Sequence, residues 1–144
     1  AHYEDPDGVS KAGAAYIFTR DQSGNWSETQ KLTASDREEG DSFGWSVAIS
    51  EDGTTAIVGA RYEDPDGVGA AGAAYIFVRN GDGSWPQHQT RKLTANDPQT
   101  DDQFGYSVAI SEDSTNGTTA IVGAPYEDEG GRNAGAAYIF PDIS

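Results

Sequence analysis

The chain has 144 residues, enough for one domain that buries about two-thirds of the surface its unfolded form exposes. Its 24 acidic residues stand against 9 basic ones, a net charge of -15, which argues against nucleic acid and anionic membranes as partners because that field repels both. There is no cysteine, so no disulfide framework or thiolate metal site can form, and the longest apolar runs, TAIVGA and GAAYIF, are too short to cross a bilayer.

Four kinds of short run follow one another along the chain, each rich in Val, Ile, Tyr, Phe, Thr and Ala and bounded by Gly, Asp, Asn, Ser and Pro. They predict strands and turns, with no sustained helical period. Residues 1–41 hold a strand C (GAAYIF) and a strand D ending in KLTA. Residues 42–102 hold a full set, A (FGWSVAIS), B (TTAIVGA), C and D. Residues 103–144 hold A, B and C again. KLTA recurs after 61 residues, as does Phe43 at Phe104, and AAYIF begins at Ala14, Ala73 and Ala136.

The connections EDG, GDG and QSGN are hairpin turns, so consecutive strands pair antiparallel as four-stranded meanders. In strand A, Val47 and Ile49 point to one face and Ser46 and Ala48 to the other, which lets sheets stack closely. Repeated four-stranded sheets stacked around an axis make a β-propeller, so the predicted fold is all-β, with about two and a third repeats, incomplete as a closed ring.

FG at the start of strand A and GAP at the end of strand B, followed by an aromatic AYIF strand, resemble the FG-GAP repeat of the integrin alpha-subunit propeller and its bacterial and archaeal relatives. Phe104, Gly105, Gly123, Ala124 and Pro125 carry the full motif. Phe43, Gly44, Gly59 and Ala60 carry it up to Arg61, which stands where the family has proline. The resemblance implies a propeller usually of seven blades, which this number of repeats does not close. An open stack exposes apolar faces and strand edges, so the segment is expected to belong to a longer array or to complete itself with other copies. The chain opens on Ala with no leader, which reads as a mature or excised segment.

A meander places the B-to-C and D-to-A connections at one end of each blade. The three B-to-C loops carry -2 each and the two D-to-A loops -3 each, so this end holds -12 of the -15. The resemblance implies that partner proteins bind at this same face. The candidate contacts are Tyr62, Glu63, Asp64, Asp66, Tyr126, Glu127 and Asp128, with Tyr3 in the first copy, since tyrosine is favoured at binding hot spots.

Calcium is a second reading of the same loops. YEDPDG offers Glu63, Asp64 and Asp66 as hard oxygen ligands with Gly67 for the bend. Against it stands ordinary turn chemistry, which favours Asp, Pro and Gly for backbone reasons. The calcium loop that the resemblance implies, D-x-D-x-D-G between strands A and B, is absent, since that turn is only SEDG or SEDSTNG. Sequons at Asn25 and Asn116 lie on turns at the opposite end and would take glycans in a secretory pathway.

GWSVA and GYSVA resemble a nucleophile elbow but lack its second glycine. His2 and His88 form neither a metal pair nor a base for Ser46 or Ser107. No catalytic role is expected. The leading reading is a non-catalytic extracellular or cell-surface adhesion module that binds a protein or glycan partner through the acidic loops. Its alternatives are a structural subunit joining partial propellers between chains, and the scaffold portion of a larger secreted enzyme.

Overall fold

The computed structural model describes residues 1–113 and 117–144, with the sequon Asn116 outside the described residues. Among the described residues nine strands run in chain order: β1 (Ala15–Arg20), β2 (Trp26–Leu32), β3 (Phe43–Ile49), β4 (Thr55–Ala60), β5 (Ala73–Val78), β6 (Arg91–Leu93), β7 (Ser107–Asp113), β8 (Gly117–Ala124) and β9 (Ala136–Phe140). They form three sheets, β1-β2, β3-β4-β5-β6 and β7-β8-β9, with every neighbour antiparallel. This is the predicted C-D, A-B-C-D, A-B-C order, a partial β-propeller with one complete blade.

Alternation along each strand assigns the two faces of the middle sheet. Ala56, Val58, Tyr75 and Phe77 pack toward the first sheet, meeting Ala15, Leu32 and Ala34. Ile57, Ala74, Ile76 and Leu93 pack toward the third sheet, meeting Phe104, Ala120, Val122 and Ala124. Strands β4 and β5 are therefore apolar on both sides, and all of β4 is buried. Such a strand lies in the interior of a stack, whereas the seven-residue β2 is exposed along most of its length. The last strand of the complete blade is short because Pro86 precedes it and cannot donate to a ladder. Trp85 uses the interruption to turn into the core.

The motif residues hold neighbouring blades at backbone contact. Phe43 and Phe104 are fully buried, each edge-on to the tyrosine and phenylalanine of its own third strand at 5.4–6.0 Å. Gly105 follows with φ +88°, and a methyl added to it would lie 2.2 Å from the carbonyl oxygen of Ala73 in the preceding blade. A left-handed backbone and the lack of room both require glycine there. Gly59 of the second motif half has no such φ, but a Cβ on it would lie 2.0 Å from the oxygen of Gly105. Ala60 and Ala124, beside these glycines, are 1% exposed.

Candidate partner-binding loop face

The three B-to-C loops are built alike. In each, the glutamate carbonyl closes the loop base by accepting a glycine N–H at 2.9 Å: Gly13 to Glu4, Gly72 to Glu63 and Gly135 to Glu127. The following aspartate spans the loop from inside. Asp5 accepts the N–H of Lys11 and Asp64 that of Ala70, both at 2.6 Å, and Asp128 accepts that of Asn133. In the first two loops Pro6 and Pro65 are buried and start one 3-10 turn, with Asp7 and Asp66 left-handed at φ 53° and 55°. Asp and Asn tolerate that region better than other side chains, which explains DPDG locally.

The D-to-A loops dock onto these. Phe43 donates its N–H to Ala12 and Ser42 to Lys11, and Phe104 donates to Ala71 and Gln103 to Ala70, so each loop is tied to the blade before it. Tyr62 donates to Asp41 and Tyr126 to Asp102, tying it to its own blade. Asp41 and Asp102 are 4% and 2% exposed, and the carboxylate of each accepts a backbone N–H from its own loop, Glu38 at 2.6 Å and Gln99 at 2.7 Å. Burial pushes Asp41 up to about 7, with the charges of Glu63, Glu38 and Asp36 adding to the rise. Burial raises Asp102 as well, helped by Glu127, Asp128 and Asp97.

The candidate contact residues divide into two groups. Tyr62, Asp64, Asp66, Tyr126 and Asp128 are exposed, as is Tyr3. Glu63 and Glu127 do not reach the surface: they are 6% and 3% exposed and hold the loops from beneath. Glu63 receives the Lys92 ammonium at 2.7 Å, and Lys92 also reaches Asp36 at 2.7 Å while lying over the Tyr75 ring. Glu63 is therefore committed to Lys92 and Asp64 to the Ala70 N–H, and with Asp66 they do not bring their oxygens within 4.8 Å of one another as a ligand set. Among the described residues, the carboxylates whose oxygens do converge, within 4.8 Å, are Asp97, Glu127 and Glu129.

Arg61, which replaces the motif proline, was not a sequence candidate. Its guanidinium lies 3.4 Å from the Trp45 ring centre, 4.2 Å from that of Tyr62 and 5.4 Å from that of Tyr106, and it donates to Gln103 at 3.3 Å. The His2 ring meets Trp45 edge-on, with 4.7 Å between the ring centres. An aromatic and cationic row therefore crosses from blade to blade beside the acidic loops. An arginine where proline is expected, among aromatics that follow FG, was the signal that could have found it.

At the opposite end, Asn25 is exposed in the β1-β2 turn, with its side chain and N–H both bonded to Asp21. The Ser46 hydroxyl donates to the Gly105 carbonyl at 2.8 Å, a structural bond between blades. Among the described residues no helix is long and apolar enough to cross a membrane.

The family model of the FG-GAP repeat matches this chain twice, over residues 26–77 and 87–140. No curated protein matches it. Each match runs from a D strand through the following A and B strands into C, so it straddles a sheet boundary.

Proposed function

Because the chain belongs to the FG-GAP repeat family, we propose that it is a non-catalytic, extracellular propeller module that binds a protein or glycan partner through its acidic B-to-C and D-to-A loops. The observation that carries this reading is the pre-organisation of that end. Three loops share one internal aspartate bond and one glycine closure, so their outward tyrosines and aspartates are fixed before any partner arrives. A fixed surface loses little conformational entropy on binding. Tyr62 and Tyr126, 37% and 41% exposed, supply amphipathic contact area amid negative charge.

The test is an array of immobilised extracellular-matrix proteins and glycans probed with the chain. At least one binder is expected whose signal falls roughly tenfold or more in Tyr62→Ala and Tyr126→Ala, a loss typical of hot-spot tyrosines. Glu51→Gln, at the opposite end, should leave it unchanged. Equal loss in all three variants, or no binder, would refute the reading.

A second reading, assembly of partial propellers into a longer stack, is favoured by a comparison between repeats. Ile57 and Ile76 are 0% exposed between the second and third sheets, whereas their counterparts Ile121 and Ile139 on the outer face of the third are 43% and 68% exposed. On the other side, Val47 and Ile49 are 62% and 52% exposed beside a groove of about 540 Å³ lined also by Tyr16, Phe18 and Val58. Ile121 and Ile139 lie on an outer face, while Val47 and Ile49 lie where the two-stranded first sheet leaves β3 uncovered; their counterparts Val108 and Ile110 pack against the core between the second and third sheets, so both exposed surfaces repeat ones that are covered inside the stack. Concentration-dependent sedimentation separates this reading from the first, because assembly predicts growing species and a partner-binding monomer does not. The scaffold of a larger secreted enzyme, in turn, predicts no binder specific to the loop face.

A further inference from the structure

Asp41 stands where three segments of the loop face are tied together. Its main-chain carbonyl takes the Tyr62 N–H at 3.3 Å, and its neighbours Gly40 and Ser42 donate their N–H groups to Ser10 and Lys11 in the loop of the first blade, at 3.0 and 3.2 Å. Both neighbours are left-handed, at φ 94° and 57°, a region that serine rarely adopts. The next joint repeats the arrangement, with Asp102 between the left-handed Asp101 and Gln103 at φ 69° and 55°. A strained turn of this kind persists only while its surroundings hold it.

The charges around the Asp41 carboxyl are mostly of its own sign. Asp36 and Glu38 bear on it from its own loop, Glu63 with Asp64 behind it from the β4–β5 loop, and the Tyr75 hydroxyl from β5. The cations nearby are engaged elsewhere. Lys92 of β6 gives its ammonium to Asp36 and Glu63 at 2.7 Å each, Arg37 is bonded to Ala34 and Asp7, and Lys11 of the first loop is exposed. Among the described residues the Glu38 N–H is the only donor to the Asp41 carboxylate, while Glu63 Oε2 and the Tyr75 hydroxyl are buried without a partner. A proton on Asp41 removes a charge that no side chain there neutralises.

We propose that Asp41 is a proton-operated latch on the loop face: protonated, it keeps the loops of the first two blades docked, and ionised, it lifts residues 36–42 together with the two loops bonded to them. An ionised Asp41 regains water only when its segment lifts, and lifting loops exposes far less surface than unfolding the blade, so the opening is local. Burial pushes the carboxyl up to about 7, so the latch is closed below that pH and released above it. A partner that binds only the closed face then loses roughly tenfold in affinity between about pH 6 and 8, the linkage of one proton. That consequence for a partner rests on the loop-face reading, whereas the latch itself does not.

The experiment is a nuclear magnetic resonance titration of the 144-residue chain with no partner present, so that a failure of the loop-face reading leaves its outcome untouched. The Asp41 carboxyl carbon should titrate with a midpoint near 7, and the amides of Glu38, Ser42 and Tyr62 should shift with that same midpoint. Above it, amide exchange corrected for its intrinsic rate should quicken roughly tenfold or more at Ser42, Phe43 and Tyr62, while Ile57 and Ile76 at the centre of the blade keep their protection. Asp41→Asn cannot ionise but keeps an oxygen for the Glu38 N–H, and it should abolish both changes. If that variant misfolds, the carboxyl titration of the unaltered chain still decides. A midpoint below about 5, in the ordinary carboxylate range, would overturn the proposal. So would loss of protection at Ile57 and Ile76 in step with Tyr62, or changes that persist in Asp41→Asn.

Discussion

Replacing Gly59 by alanine tests whether the blades meet backbone to backbone. A Cβ there would lie 2.0 Å from the Gly105 carbonyl oxygen and 2.9 Å from its carbon, against about 3.4 Å for ordinary contact. The Ser46 hydroxyl, 2.3 Å from the same point, can rotate away at the loss of its bond to Gly105. The carbonyl cannot rotate, because Gly105 is held left-handed and its N–H is bonded to Gly123. The second and third blades must therefore move apart by about 1.4 Å, which opens the core around Phe104 and Ile57. Overpacking a core commonly costs ~1–3 kcal/mol, and a contact against fixed backbone belongs at or above the top of that range. The entropy that alanine removes from the unfolded chain offsets only ~0.4–1 kcal/mol.

Gly123 is the matched control. It occupies the same motif position, but its added Cβ would meet only the Ser107 hydroxyl at 2.5 Å, with the next atom at 3.8 Å. Rotation of Ser107 relieves that contact, so Gly123→Ala should change stability by less than ~1 kcal/mol. Thermal unfolding followed by far-ultraviolet circular dichroism should show a fall of about 9 °C or more for Gly59→Ala and about 3 °C or less for Gly123→Ala. Similar falls in the two variants would refute the argument from inter-blade contact.

Lys92→Ala should destabilise by about 1–3 kcal/mol in urea unfolding, below the ~3–5 kcal/mol of a fully buried pair because Lys92 keeps 27% of its side chain in water. Lys31→Ala should cost distinctly less, since Lys31 and Glu4 are both more than a third exposed, and a larger loss at Lys31 would contradict the assigned burial. Stability should fall as pH rises from about 4 to 7. The raised Asp41 binds its proton more tightly folded than unfolded, so ionisation in that window costs folded stability, and Asp102 and Glu63 are shifted in the same direction. Asp41→Asn should flatten the slope, and an unchanged slope would assign it to other groups. Arg61→Ala should change the intensity and peak position of tryptophan emission by uncovering Trp45, and an unaltered spectrum would mean the stack does not persist in solution.

The strands and the meander were legible because β-branched and aromatic runs between Gly and Asp turns leave few other structures open. The repeat also made the loop face legible, since strand direction alone sorts the connections to two ends. Burial of Glu63 and Glu127 was not legible from loop composition. A glutamate among aspartates reads as surface charge until its lysine, 29 residues further on for Glu63, is brought to it by pairing of β5 with β6. Likewise the reason for glycine at 44, 59 and 105 lies in contacts between blades, which periodicity within one blade does not contain. The pairing of lysine with glutamate could have been found by noticing that KLTA and YED recur together in the first two repeats and that YED alone recurs in the third.

The amide bonds from Phe43 to Ala12 and from Phe104 to Ala71 have a mechanical consequence. Each blade's first residue is anchored in the loop of the blade before it, while the next connection anchors back into its own, so no loop at this end can shift alone. The whole end behaves as a single plate, whose stiffness belongs to the row of loops and not to any one of them. A ligand gripping one loop would quiet its neighbours as well, and a cut in one would loosen the rest. Were a partner to bind there as proposed, force entering at one tyrosine would be shared along the row before any strand begins to peel.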